Sequence, residues 1–107
     1  QVKDPHRFGV ATLNETNKII EIIEKPKNPK SNLAVTGIYF YDETVFDVIK
    51  TCKPSKRGEL EISEVNNYYV KENKINHSIL NGWWTDAGTF ESIKLANDLV
   101  TEQPINE

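Results

Sequence analysis

With 107 residues, the chain suffices for one small domain and not for two. Hydrophobic residues at 37% and charged residues at 27% give a globular composition, and the net charge of −3 argues against a nucleic-acid surface, which needs a clustered positive excess. No apolar run reaches the roughly 20 residues of a membrane span, no signal-peptide pattern opens the chain, and the single cysteine, Cys52, forbids an intramolecular disulfide and fits a reducing, cytoplasmic setting.

Residues 8–13 and 18–24 read as two strands joined by the turn Asn14-Glu15-Thr16-Asn17, a hairpin by length and turn chemistry. Lys25 to Asn32, with Pro26 and Pro29, is a loop. Residues 33–41 are almost continuously apolar or aromatic and predict a central strand buried on both faces. Asp42 is placed to N-cap a helix with Val45, Val48, Ile49 and Cys52 on one face, ended by Pro54. A second helix is expected over residues 62–72, with Ile62, Val65 and Tyr69 at helical spacing and Asn73 closing it. Residues 74–80 read as a strand, Asn81-Gly82 as a tight turn and Trp83-Trp84-Thr85 as a short strand. Thr89 is then the N-cap of a last helix, with Phe90, Ile93, Ala96 and Val100 as its apolar stripe and a frayed tail from Glu102. The order describes an α/β or α+β arrangement with the sheet order undetermined, taken as α/β, a mixed sheet with flanking helices, in one partial domain over residues 1–107.

Four local groups have the residue types that chemistry needs, and each has a plainer alternative. In Glu24-Lys25-Pro26, the position before proline favours extended backbone. Glu24 and Lys25 are therefore expected to project differently, a carboxylate for sugar hydroxyls and an ammonium for a phosphate, or else a solvated charge pair. In Arg57-Gly58-Glu59-Leu60-Glu61, the guanidinium suits a phosphate or a carboxylate, and the glutamates suit a helix N-terminus. Asp86, at a strand end before Ala87-Gly88-Thr89, stands where carboxylates hold Mg²⁺ beside phosphates, or where an Asp merely orders a turn. Gly37, inside Val35-Thr36-Gly37-Ile38-Tyr39-Phe40-Tyr41, hints at a close backbone or ligand approach, with Tyr39 near a sugar; core packing is the alternative. His6 and His77 have no third partner for a metal site or triad, and Cys52 reads as a small buried hydrophobe.

Taken in order, Phe8-Gly9-Val10, Glu24-Lys25-Pro26, Pro29-Lys30-Ser31-Asn32, the segment from Val35 to Asp42, and Arg57 to Ile62 resemble the second half of the glucose-1-phosphate thymidylyltransferases. The resemblance runs from Phe8 through the Asp86-Ala87-Gly88-Thr89 turn and the helix after it. It implies the C-terminal part of a Rossmann-like nucleotide-diphospho-sugar transferase fold. The implied reaction joins glucose 1-phosphate to dTTP with Mg²⁺, releasing pyrophosphate. Lys25 and Arg57 would be catalytic. Gly9, Glu24, Lys25, Val35, Tyr39 and Arg57 would bind the sugar phosphate, and Asp86 would be one of two metal-binding aspartates. The family's glycine-rich nucleotide loop and other aspartate are not among these residues, and Ile23 replaces a frequent second glutamate. A chain with no methionine, beginning at Gln1, is therefore expected to be an inactive piece of a cytoplasmic, homo-oligomeric enzyme. A UTP-using or other-sugar relative and a non-catalytic sugar-phosphate module are the alternatives.

Overall fold

The computed structural model describes residues 1–102, which divide into two compact units, Gln1–His77 and a second beginning at Ser78. In the first unit Asn14 builds the hairpin turn. Its Oδ1 accepts the Thr16 N–H at 3.0 Å, the Thr16 hydroxyl at 2.9 Å and the Lys18 N–H at 2.9 Å, and Asn17 takes a left-handed φ of 60° that Asn tolerates. Strands β1 (Gly9–Leu13) and β2 (Ile19–Glu24) pair antiparallel, with Gly9 opposite Glu24. Strand β3 (Leu33–Ala34) pairs antiparallel on the other edge of β1, so the sheet order is β2-β1-β3.

The sheet is thus antiparallel in all its pairings among the described residues, not mixed. The long central strand expected over residues 33–41 is reduced to β3, and residues 74–80 and 83–85 form no strand. Apolar content measures a preference for burial, whereas a strand also needs a ladder partner, and β3 lies at an edge with one neighbour. The Val35 N–H still donates to the Gly9 carbonyl at 2.8 Å, but Gly37 then turns the chain at φ 79° and Phe40 is 95% exposed. A Cβ on Gly37 would meet nothing within 4 Å. The glycine there serves the left-handed backbone and no close approach of another part of the described chain.

Three helices follow the sheet: α1 (Val45–Thr51), α2 (Ile62–Lys71) and α3 (Phe90–Glu102). Thr44, not Asp42, is the N-cap of α1, with no side-chain cap bond. Asp42 instead accepts the Thr44 N–H at 3.0 Å and the Thr44 hydroxyl, a side-chain turn that leads into the helix. Val45 and Val48 pack on Val65 of α2, with Cys52 and Tyr69 against them. Cys52 is partly buried and not fully so, and desolvation is the main cause that pushes its thiol above its ordinary pKa. Asn73 closes α2 at φ 53°, with Lys74 N–H on the Tyr69 carbonyl at 2.9 Å and Asn73 N–H on the Val70 carbonyl at 3.1 Å, the paired bonds of a Schellman end. In the second unit, Thr89 caps α3 reciprocally. Its Oγ1 accepts the Ser92 N–H at 3.1 Å, and Ser92 Oγ accepts the Thr89 N–H at 3.0 Å. The expected apolar stripe of α3 lies open, Phe90 being 91% exposed.

One side chain ties α2 to the backbone of the sheet's edge strand. β2 is an edge strand, and its outward N–H and C=O at Ile22 face a row that water or another chain would otherwise fill. The Asn67 carboxamide takes both: Oδ1 accepts the Ile22 N–H at 2.9 Å and Nδ2 donates to the Ile22 carbonyl at 2.6 Å. Beside it, Tyr41 donates to Asn66 Oδ1, and the rings of Tyr39, Tyr41, Tyr69 and Tyr68 stand 5.9, 5.7 and 5.4 Å apart in succession. Desolvation, with smaller contributions from Tyr39 and Tyr69, pushes the Tyr41 phenol up to about 12.

Truncating Asn67→Ala strips two hydrogen bonds from part-buried backbone and is expected to cost about 2 kcal/mol, read as a lower urea midpoint at unchanged slope; Phe40→Ala should change stability by less than about 0.5 kcal/mol. The raised Tyr41 pKa means that the folded state holds its proton to higher pH than the unfolded chain does. Its stabilising contribution is complete below the ordinary phenol pKa of about 10 and is lost as pH rises from there through about 12. Tyr41→Phe should therefore flatten the decline of stability across that window in denaturant titrations. An unchanged slope would refute the assignment.

Candidate functional site

At the end of β2, Glu24 lies opposite Gly9, and α2 brings a third residue to them. The Ser63 hydroxyl, buried at 5% exposure, donates to Glu24 Oε2 at 2.7 Å. Gly9 is what leaves room for this contact. A Cβ built on it would stand 3.1 Å from Glu24 Oε2, 3.2 Å from Ser63 Oγ and 3.8 Å from Val35 Cβ, tighter than ordinary van der Waals contact for the first two. Any larger residue here would crowd the Glu24 and Ser63 side chains, which would have to shift by a few tenths of an ångström, and the glycine's φ is not in the left-handed region.

Val35 is held beside Gly9 by the backbone bond already described. Tyr39 completes the group. Desolvation first, then the nearby Glu24 carboxylate, raises its phenol pKa, with a hydrogen bond to Asn66 acting the other way. Ser63 and Asn66, three residues apart, lie on one face of α2, so one buried helix face positions both Glu24 and Tyr39.

Lys25 departs from expectation. Instead of the extended backbone favoured before proline, it takes a left-handed φ of 43°, while its N–H still closes the ladder on the Phe8 carbonyl at 2.9 Å. The strand's last hydrogen bond fixes the amide, and the chain must reverse at once into Pro26. Such conformations cost on the order of 1–3 kcal/mol and gather at functional sites. The Lys25 side chain is exposed.

Arg57 takes the second of its two alternatives, the carboxylate. Its guanidinium sits 3.1 Å from Glu59 Oε2 and 3.2 Å from Glu61 Oε1, and Ser55 Oγ donates to the same Glu61 oxygen at 3.0 Å. Glu61 precedes the first turn of α2 but makes no side-chain cap bond; it serves as the tether of the Ser55–Glu59 loop. An incoming phosphate would have to exchange for these carboxylates. A cleft of about 540 Å³ runs beside β2 and α2, and Glu24, Ser63, Lys56, Arg57, Glu61 and Lys71 are among its lining residues.

Asp86 belongs to the second compact unit. Its Oδ2 accepts the Gly88 N–H at 3.1 Å and the Ser92 hydroxyl at 3.4 Å, so the carboxylate is oriented by the turn and the first turn of α3. A hard oxygen donor held in this way fits Mg²⁺ as one ligand. Among the described residues, no group of three or more His, Cys, Asp or Glu assembles into a metal cage.

The structure therefore gathers Gly9, Glu24, Val35 and Tyr39 from positions up to thirty residues apart, with Lys25 adjoining and Arg57 on the same cleft as Glu24. Sequence reasoning missed Ser63 and Asn66. The available signal was two small polar residues at helical spacing within an amphipathic helix, where such side chains are disfavoured unless they have a partner. No described helix is long and apolar enough to cross a membrane.

Known proteins are similar to this one over nearly the whole chain. The glucose-1-phosphate thymidylyltransferase of Neisseria meningitidis is 48% identical over 102 residues, covering 94% of this chain and 35% of that protein. The bifunctional protein GlmU of Methanocaldococcus jannaschii is 43% identical over 103 residues, covering 96% of this chain and 25% of that one. A solved structure from Bacillus anthracis, described as a glucose-1-phosphate thymidylyltransferase in complex with a sucrose, superposes with a TM-score of 0.84 at 54% identity, over 99% of this chain and 43% of that one. The chain thus spans about a third or less of the length of these two curated relatives. The nucleotidyl transferase family matches residues 1–103, and with the fold and sequence agreeing over that span the chain belongs to this family.

Proposed function

We propose that this chain forms the sugar-phosphate side of a glucose-1-phosphate thymidylyltransferase. In that reaction a phosphate oxygen of glucose 1-phosphate attacks the α-phosphorus of dTTP, the bond to the β-phosphate breaks, and dTDP-glucose and pyrophosphate form. The observation that carries the reading is the convergence of Gly9, Glu24, Val35 and Tyr39 on one strand end and helix face, in a chain of the nucleotidyl transferase family.

In this reading Glu24 accepts hydrogen bonds from sugar hydroxyls, and the Gly9 backbone, Val35 and Tyr39 border the ring. Lys25, exposed at the strand end, neutralises the sugar phosphate. Arg57 joins it by exchanging Glu59 for the phosphate while keeping its contact with Glu61. Asp86 would hold Mg²⁺ as one ligand, and the ion would supply neutralisation of phosphate charge; the remaining ligands and the nucleotide pocket would come from outside this chain. Catalysis of this kind is positioning and charge neutralisation, with little covalent work for the protein, so the isolated chain binds sugar phosphate without turning it over. The protein that contains it assembles into homo-oligomers in the cytoplasm. A relative that uses another nucleotide or sugar phosphate is the second reading, favoured by the GlmU identity of 43%, close to the 48% of the thymidylyltransferase.

An NMR titration with glucose 1-phosphate is expected to shift the resonances of Glu24, Lys25 and Tyr39 together. Lys25→Ala, which removes a charge-assisted contact, should weaken binding by about tenfold or more; a flat titration of the wild-type chain would sink the proposal. Paramagnetic Mn²⁺, standing in for Mg²⁺, should broaden the amides of Asp86, Ala87 and Gly88 before others. Equal broadening in Asp86→Asn would remove Asp86 from the metal site.

A further inference from the structure

We infer that Ser63 is a positioning residue for the sugar pocket: its hydroxyl latches Glu24 so that one carboxylate oxygen is spent within the protein and the other is aimed at a sugar hydroxyl. The inference rests on the sugar-site reading above and adds to it a residue from a different element.

The geometry has three parts. Ser63 is buried on α2 and donates to Glu24 Oε2 at 2.7 Å, within the short range of hydroxyl-to-carboxylate bonds. Gly9, across the strand pair, has no Cβ where one would stand 3.1 Å from that same oxygen and 3.2 Å from Ser63 Oγ. The N-terminal part of α2 is itself tied down, since Glu61 is bound by Ser55 and Arg57. A carboxylate on its own turns freely about its last torsion, which is broad and roughly two-fold, and offers either oxygen to a ligand. With Oε2 engaged by Ser63 and packed over Gly9, the two oxygens are no longer equivalent. Glu24 presents Oε1 as the acceptor, and the choice between sugar hydroxyl configurations falls on one oriented lone-pair set. Prepaid ordering of a polar group in this way favours binding because less freedom is lost when the ligand arrives.

A hydroxyl buried in a helix has a simpler use, bonding to the carbonyl one turn back. Ser63 bonds instead to a residue 39 positions away. A contact between two elements that ends on a candidate ligand-binding carboxylate is what a positioning residue requires.

The test uses the intact chain with glucose 1-phosphate as probe, and two readouts. The first needs no ligand: the two Glu24 Hγ resonances should be distinct in the wild type, collapse toward one another in Ser63→Ala, and stay distinct in Ser63→Thr, which keeps the hydroxyl. The second is the dissociation constant. Ser63→Ala should weaken binding about tenfold, Ser63→Thr by no more than about twofold, and Ser63→Ala combined with Glu24→Gln no more than Glu24→Gln alone, since both act through one group. Distinct Hγ resonances in Ser63→Ala would overturn the latch, as would equal losses of affinity in Ser63→Ala and Ser63→Thr. If the resonances collapse but Glu24→Gln binds as the wild type does, the sugar-site reading fails and the role proposed for Ser63 fails with it, while the contact itself stands.

Discussion

The Asn67 carboxamide spans the outer edge of β2 as a strand would, accepting from the Ile22 N–H and donating to the Ile22 carbonyl, and this pair of bonds sets where along the sheet α2 sits. From Ile22 to Glu24 the strand advances two residues, about 6.6 Å. From Asn67 back to Ser63 the helix retreats four residues, about 6 Å. The two advances nearly match, so a helix pinned at Asn67 delivers Ser63 to Glu24. A register shift of one residue along β2 would turn the pinned backbone groups toward β1 and point a different side chain at the helix. The site is therefore a consequence of edge-strand management: the bonds that close the free edge of β2 also align the helix that orders the carboxylate.

The same helix face reaches the aromatic cluster. Asn66, next to the clasp, accepts from Tyr41 and bonds Tyr39, and Tyr69 stacks against Tyr41 while packing on the valine core of α1 and α2. Asn67, Asn66 and Tyr69 along α2 thus serve sheet docking, the tyrosine contacts and the core. That economy explains why α2 tolerates Ser63, Asn66 and Asn67 within ten residues although none favours a helix interior. Each side chain has a tertiary partner, and the helix is held by packing and by its Schellman end at Asn73 more than by propensity.

What was legible in the sequence was local. The Asn14 turn, the Asn73 stop and the Thr89 cap depend on residues a few positions apart, and the structure reproduces each with the bonds that turn and cap chemistry demands. The resemblance to the thymidylyltransferases rested on ordered short motifs, and it is matched by the family, the relatives and the fold. What failed was non-local. Residues 33–41 have strand composition, but past the Val35 bond to Gly9 no ladder pairing continues among the described residues, and Phe40 is open to solvent. Lys25 obeys the hydrogen bond to Phe8 over the local preference of a residue before proline. The Ser63 and Asn67 contacts join residues 39 and 45 apart, a separation at which no pattern of neighbours in the chain announces a pair.

Electrostatics sharpen the division between what this chain holds ready and what it must rearrange. Glu24 is ordered by a neutral donor, Ser63, which fixes direction without cancelling charge, so the carboxylate keeps its capacity to accept. Arg57 is the reverse: two carboxylates, Glu59 and Glu61, neutralise it on the spot, and it lies on the same cleft as Glu24. The Glu61 carboxylate is the more sheltered of the two, with 13% of its side chain exposed against 60% for Glu59, and it is also bound by Ser55. A phosphate competing for Arg57, in the reading proposed above, would displace the exposed Glu59 first, because that pair is screened by water and worth least, while the Glu61 contact would keep the guanidinium on its loop. An arginine so held can exchange one carboxylate for a phosphate without losing its tether, and the acceptor side of the site, set by Ser63 and Gly9, does not have to move when it does.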